Sequence, residues 1–469
     1  MKQLLHQVLS IDRWIPEEKR VGPIPTTKEI YERAFRIAWP SIVESALVSV
    51  ISSVDMMMVG VLGTSAIAAV GLTGQPRLIL LSVIFSLNAG VTAIIARRKG
   101  EEDQERANAA MRQSILLCLF ASLTLSILGF IFAEDIMRLA GAKADLIQDA
   151  TTYFKVICTG LVFNSMSMTI NAAQRGVGNS KISMRTNITA NLVNVVFNYL
   201  LIGGNFGFPR LGVAGAAIAT NIGLFIAFIM SVYSITRYQD SFLFVSKKDH
   251  WGFQKDTMKS LSMVSGSAFL EQAFFRIGFF LNARIVVELG TVAFATYQIG
   301  MQVINLSFAF GDGLAVAGSA LMGQSLGAKR PDLAKIYGKC LQRISFMIST
   351  VLFVIFILGR YQIIGLFDRS SDVLAVGSQI MMIIAFTTHI QTSQIVISGC
   401  LRGAGDTKYV AGVAMLSTAL IRPLSTYLLC FTFGFEVLGA WFALFIDQCM
   451  RLTLNYMRFH KGDWTKIQL

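Results

Sequence analysis

The sequence predicts an all-α integral membrane protein with twelve transmembrane helices. They fall into two pseudo-symmetric six-helix bundles, a parallel repeat around a central cavity. Three observations predict this. Charge is scarce: 15% of the 469 residues are charged and 54% are hydrophobic, whereas soluble domains carry about 25% charged residues. The shortage comes from long charge-free runs such as "SILLCLFASLTLSILGFIFA" (114–133), which is 20 residues and enough to cross about 30 Å of hydrocarbon as a helix. Finally, the chain matches itself when slid by 227 residues.

Taken in order, the apolar runs give helices over 36–60, 70–96, 113–133, 153–173, 185–204, 212–234, 261–288, 297–324, 341–359, 376–400, 411–434 and 436–457. The expected division is a cytoplasmic segment over 1–35, an amino lobe over 36–234 and a charged cytoplasmic linker over 235–260. A carboxyl lobe over 261–457 and a cytoplasmic tail over 458–469 complete it. The start, "MKQLLHQVLSIDRWIPEEKR", lacks the apolar stretch of a cleaved signal peptide. It reads as a short cytoplasmic helix ending at "GPIP" (22–25).

A net charge of +13 could point to nucleic acid, but its placement points elsewhere. Lys and Arg crowd into the amino-terminal segment, the even-to-odd loops and the tail, while the opposite loops hold five. That asymmetry is the topology signal of cytoplasmic loops. Both termini are therefore expected inside the cell, with the protein in the plasma membrane, and no nucleic-acid partner is expected. Six cysteines stand singly, with no CxxC, and read as small core residues.

The repeat is carried in three separate places. "VGVLGTSAIAAVGLTGQ" (59–75) falls on "VVELGTVAFATYQIGMQ" (286–302) with seven identities. "QRGVGNSK" (174–181) falls on "LRGAGDTK" (401–408), and Gly100 falls on Gly327. Because each half has six helices, both enter from the same side, the parallel arrangement of some transporters. The same offset carries Glu44 onto Glu271, but Asp55 onto Asn282.

Taken together, "SSVDMMMVGVLGTSAIAAVG" (52–71), "LMGQSLGAKRPDLAK" (321–335) and the two RG-x-G-x-x-K loops resemble the multidrug and toxic compound extrusion family over about residues 30–457. The resemblance implies secondary antiport, with substrate leaving as protons or sodium ions enter. It also implies an amino-terminal ion site at Asp55, with Asn194 and Asn198 of "NVVFN" and Thr220 of "AIAT". Asn198 stands where members often have Asp. In the carboxyl lobe it implies a site at Glu271 of "FLEQAFF", with Gln391 where some members have Asp.

Physical reading of the polar residues adds detail. Eleven residues separate Glu44 from Asp55, about 16 Å along a helix, so one ion cannot touch both. Asn187, Asn191, Asn194 and Asn198 recur at spacings of four, three and four and form one helical face. That face either glues helices together or completes a site with Asp55. Burial among amides disfavours the charged form of Asp55, so it can take a proton near physiological pH. The same oxygens of Asp55, Asn194 and Asn198 could instead ligate Na+, a hard cation that prefers oxygen.

For the carboxyl lobe, Glu271, Gln391, Asn282, Asp312, His389 and Arg276 are the candidates for substrate binding or coupling, with Glu44 as a further one in the amino lobe. Arg276 could neutralise Glu271 or Asp312, or admit an anionic group. Arg284 and Glu288 read as a structural pair, as do Asp447 and Arg451. Methionine and phenylalanine, 20 and 34 in number, suit varied amphipathic substrates because they repack easily.

The expected function is antiport of amphipathic, cationic small molecules by a monomer in membrane lipid, with no enzymatic activity. No cofactor beyond the coupling H+ or Na+ is expected. The P-loop motif is absent, which excludes ATP-driven transport unless a partner supplies it; no ATP-binding subunit is expected. An exporter dedicated to one natural product or peptide, and a flippase for a lipid-linked precursor, are the alternatives.

Overall fold

The computed structural model describes residues 16–142, 146–237, 241–246, 249, 251–367 and 371–467. The amino-terminal helix expected over the first 20 residues lies mostly outside them. Among the described residues the regular elements are all helical. The amino half holds α1 (Thr27–Gly60), α2 (Thr64–Gly100), α3 (Gln104–Ile131), a short α4 (Ala133–Leu139), α5 (Ile147–Gly176), α6 (Ser180–Gly203) and α7 (Gly212–Thr236). The carboxyl half holds α8 (Lys255–Val287), α9 (Thr291–Gly327), α10 (Pro331–Leu358), a short α11 (Arg360–Gly365), α12 (Ser371–Gly403), α13 (Thr407–Thr432) and α14 (Glu436–Lys461). Setting aside the two short helices, each half has the six expected spans.

Ten of these helices are long and apolar enough to cross a membrane on composition alone. The two that fall short are α6, which carries the asparagine row, and α8, which carries Glu271, Arg276, Asn282 and Arg284. Polar groups inside a span lower its hydropathy and mark functional sites. The helices overrun their expected limits: α2 has 37 residues, about 55 Å long, so its polar ends project beyond the hydrocarbon. In α13 the regular pattern is interrupted twice, by π-helical stretches at Met415–Ile421 and Leu428–Thr432.

The chain divides into two compact units, one of residues 43–269 and one of residues 1–42 with 270–469. The division differs from the expected lobes, and apolar burial explains why. Ile30, Ala34, Ile37 and Ala38 pack in one core with Leu314, Leu321, Tyr337 and Val396, so residues 27–35 are helix, not a free segment. Leu243, Val245 and Leu261 pack with Ile84, Ile94 and Met111, so part of the expected linker is core. Within the expected tail, Trp464 is buried and stacks on Phe459 at 5.1 Å.

Within the carboxyl unit, α9 and α12 approach through small residues. A Cβ at Gly399 would lie 2.6 Å from Ala315 Cα, and one at Gly403 would strike the Ser319 backbone. Such G-xxx-G spacing lets helix backbones touch in lipid. Gly399→Val is expected to destabilise by about 1–3 kcal/mol through overpacking, read as a lower melting temperature in detergent. An unchanged melting temperature would contradict this packing.

Candidate functional site

In the amino unit, α1, α6 and α7 bring Asp55, Asn194, Asn198 and Thr220 together. Close approach of α6 and α7 makes this possible, because a Cβ at Gly223 would lie 2.5 Å from the Ala190 carbonyl. Asn198 Nδ2 donates to Asp55 Oδ1 at 2.9 Å. The neighbours fix the Asn194 amide so that its nitrogen donates to both carboxylate oxygens, at 2.7 and 2.9 Å. Its oxygen then accepts from the Thr220 hydroxyl and backbone N–H, at 3.2 and 3.1 Å.

Both amides are buried, and Asp55 is half-buried. Asn198 Oδ1 is buried without a hydrogen-bond partner, an orphaned acceptor beside the carboxylate. Asn191 shares the face but turns to the Asn187 carbonyl at 2.7 Å. Two neighbours that the residue patterns did not reveal, Arg77 on α2 and Tyr153 on α5, act on Asp55 electrostatically.

Glu44 belongs to a different cluster. Its carboxylate accepts from Asn187 Nδ2, from Ser183 Oγ at 3.0 Å, and from Arg175 Nη1 at 3.4 Å. In the carboxyl unit its repeat mate Glu271 accepts from Arg402 Nη1 at 2.9 Å. Arg175 and Arg402 are the arginines of the two RG-x-G loops, and both pairs span 131 residues. The expected neutraliser, Arg276, does not reach Glu271, and its Nε is buried without a partner. The signal for the true partner lay in the repeat, which carries acid and arginine at one offset.

The remaining candidates are spread through the carboxyl unit. Asn282 donates to the Tyr297 hydroxyl at 2.8 Å and accepts from Thr426 Oγ1 at 2.6 Å. Gln391 accepts from Ser307 Oγ at 2.9 Å, and Asp312 is half-buried on α9. His389 Nδ1 lies 2.7 Å from Ser349 Oγ, with the ring stacked on Phe346 and tilted against Phe353. Its Nδ1 already has a partner. His389→Gln is expected to leave ion-driven efflux unchanged and shift stability by about 1 kcal/mol at most; lost efflux would make it a proton carrier.

Two structural pairings were expected elsewhere. Asp447 is bound by the hydroxyls of Ser417 at 2.6 Å and Thr418 at 3.1 Å, with Arg451 within electrostatic reach. Arg284 and Glu288 form no ion pair among the described residues. The reason is that α8 ends at Val287, which breaks the helical spacing the pair requires.

Two repeated bundles of membrane-length helices, each with polar side chains buried at span depth, define a multi-pass membrane transport protein. The MatE family model matches residues 40–200 and again 267–428. The chain therefore belongs to the MatE family of multidrug efflux transporters. It is 28% identical over 437 residues to an uncharacterized transporter, YisQ, of Bacillus subtilis, covering 92% of this chain and 94% of that one. It is 26% identical over 453 residues to the probable multidrug resistance protein NorM of Thermotoga maritima, covering 96% of each. An outward-facing multidrug resistance MATE family transporter superimposes with a TM-score of 0.86 at 19% identity, over 92% of this chain and 96% of that one.

Proposed function

We propose that this chain is a secondary active antiporter. It exports amphipathic organic small molecules, cationic ones among them, in exchange for H+ or Na+ by alternating access. Asp55 carries the coupling ion. The observation behind this reading is the contrast among three span carboxylates: guanidinium groups hold Glu44 and Glu271, whereas amides hold Asp55. An acid hydrogen-bonded to neutral amides, and not paired directly with a guanidinium, is free to exchange a proton or a small cation.

The donor set suits either ion. The Asp55 carboxylate, the Thr220 hydroxyl and the orphaned Asn198 Oδ1 are hard oxygen ligands of the kind a bare alkali cation prefers. The same orphaned oxygen could accept a hydrogen bond from a protonated acid. Substrate cations would meet Glu271 only by displacing Arg402. The protein works as a monomer in the plasma membrane, with both termini cytoplasmic and no ATP-binding subunit.

The test is efflux of a fluorescent amphipathic dye from proteoliposomes under an imposed pH or Na+ gradient. Efflux that responds to one of these gradients supports the reading. Efflux that ignores both, or that requires ATP, would overturn it.

A further inference from the structure

The two units repeat one another with a one-residue difference, and that difference reverses the charge of a buried site. Up to the RG-x-G loops the register is constant, because Glu44–Arg175 and Glu271–Arg402 both span 131 residues. Beyond the loops it slips. Asn198 reaches Asp55 across 143 residues, whereas Thr426 reaches Asn282 across 144. The family match agrees, since 267–428 is one residue longer than 40–200.

The π-helical stretch Met415–Ile421 absorbs the added residue; such bulges interrupt α-helices mostly at functional sites. Past it, Thr426 stands where the amino unit has Asn198, and Arg422 where it has Asn194. Asn282 replaces Asp55. A carboxylate held by an amide has become an amide held by a hydroxyl, with an arginine one helical turn before that hydroxyl.

Arg422 is 1% exposed, and its Nε and Nη2 have no hydrogen-bond partner. Its guanidinium lies 4.7 Å from the centroid of the Phe279 ring, and that of Arg451 lies 4.6 Å from Phe275. Glu271, Arg402, Arg422, Asp447 and Arg451 lie within one electrostatic neighbourhood. Glu271 is paired with Arg402, while Asp447 binds hydroxyls through Oδ1 and leaves Oδ2 without a partner. Two carboxylates face three guanidiniums, and Arg422 forms no ion pair among the described residues.

A lone buried charge at span depth is costly, and a free guanidinium fork matches the geometry of a carboxylate. We infer that the carboxyl unit binds the carboxylate head of an amphipathic monoacid at Arg422, with Arg451 behind it and Phe275 and Phe279 against the apolar body. The inference rests on the exporter reading only for the direction of transport.

Equilibrium binding to the purified full chain tests it without any transport step, so failed antiport and failed anion binding are distinguishable. The probes are dansylglycine, its neutral amide and the cationic dansylcadaverine, followed by fluorescence. Dansylglycine is expected to bind about tenfold or more tightly than the amide, the scale of one charge-assisted hydrogen bond. Arg422→Gln should abolish that preference and Arg422→Lys should retain part of it. Asp447→Asn, which removes an opposing charge, should strengthen it, and this keeps the inference testable if Arg422→Gln fails to fold.

Equal binding of acid and amide would overturn the inference, as would a preference that Arg422→Gln leaves intact. Titration with sodium chloride separates the two sources of a monoanion. Displacement of dansylglycine only in step with ionic strength supports a carboxylate site. A saturable chloride effect on Trp fluorescence without dansylglycine binding would assign the site to a small inorganic ion and overturn the substrate reading.

Discussion

Asp55→Asn is expected to lower gradient-driven efflux about 5- to 150-fold, the range of a coupling free energy of 1–3 kcal/mol. The substitution keeps the size of the side chain and one acceptor oxygen, the one that both Asn194 and Asn198 reach, so both retain a partner and the fold should survive. The exchangeable charge is lost. Downhill dye movement in the absence of a gradient should persist, which separates coupling from binding. Efflux in the mutant that still follows the imposed gradient at the wild-type rate would remove Asp55 from the coupling role.

The next largest effect concerns stability. Glu271 is 1% exposed and accepts from Arg402 at 2.9 Å. Removing one partner of a buried ion pair leaves a charge with no answer and costs about 3–5 kcal/mol. Arg402→Gln is therefore expected to lower the melting temperature in detergent steeply, and adding Glu271→Gln should recover much of the loss. Arg175→Gln should be milder, because Ser183 and Asn187 also hold Glu44. A double mutant no more stable than Arg402→Gln would mean that the pair is not what holds these helices.

Much of the fold was legible because spans avoid charge and because the repeat keeps one offset through three separated motifs. The Asp55 cluster was legible for a local reason: spacings of three and four residues put Asn194 and Asn198 on one face of α6. Its other neighbours were not. Arg77 and Tyr153 come from helices whose sequence gives no hint of facing Asp55, and Asn191 shows that sharing a face does not ensure sharing a partner. Arg276 shares α8 with Glu271 and is one partner that local spacing offers; the true partner, Arg402, is 131 residues away, beyond any local spacing rule. Apolar residues in 27–35, such as Ile30 and Ala34, were too few to mark a buried helix before their tertiary neighbours were known.

The π-helical stretch of α13 also determines how the halves must be aligned. Each residue of a regular α-helix advances the azimuth by 100°, so an extra residue with no bulge to take it up would swing Arg422 and Thr426 by over a quarter-turn. Deleting one residue within Met415–Ile421 would close the bulge and leave Thr426 facing Asn282. An ungapped superposition of the halves makes the corresponding error on paper: it sets Asn194 against Ile421 and Asn198 against Ser425, hiding the arginine opposite the amide.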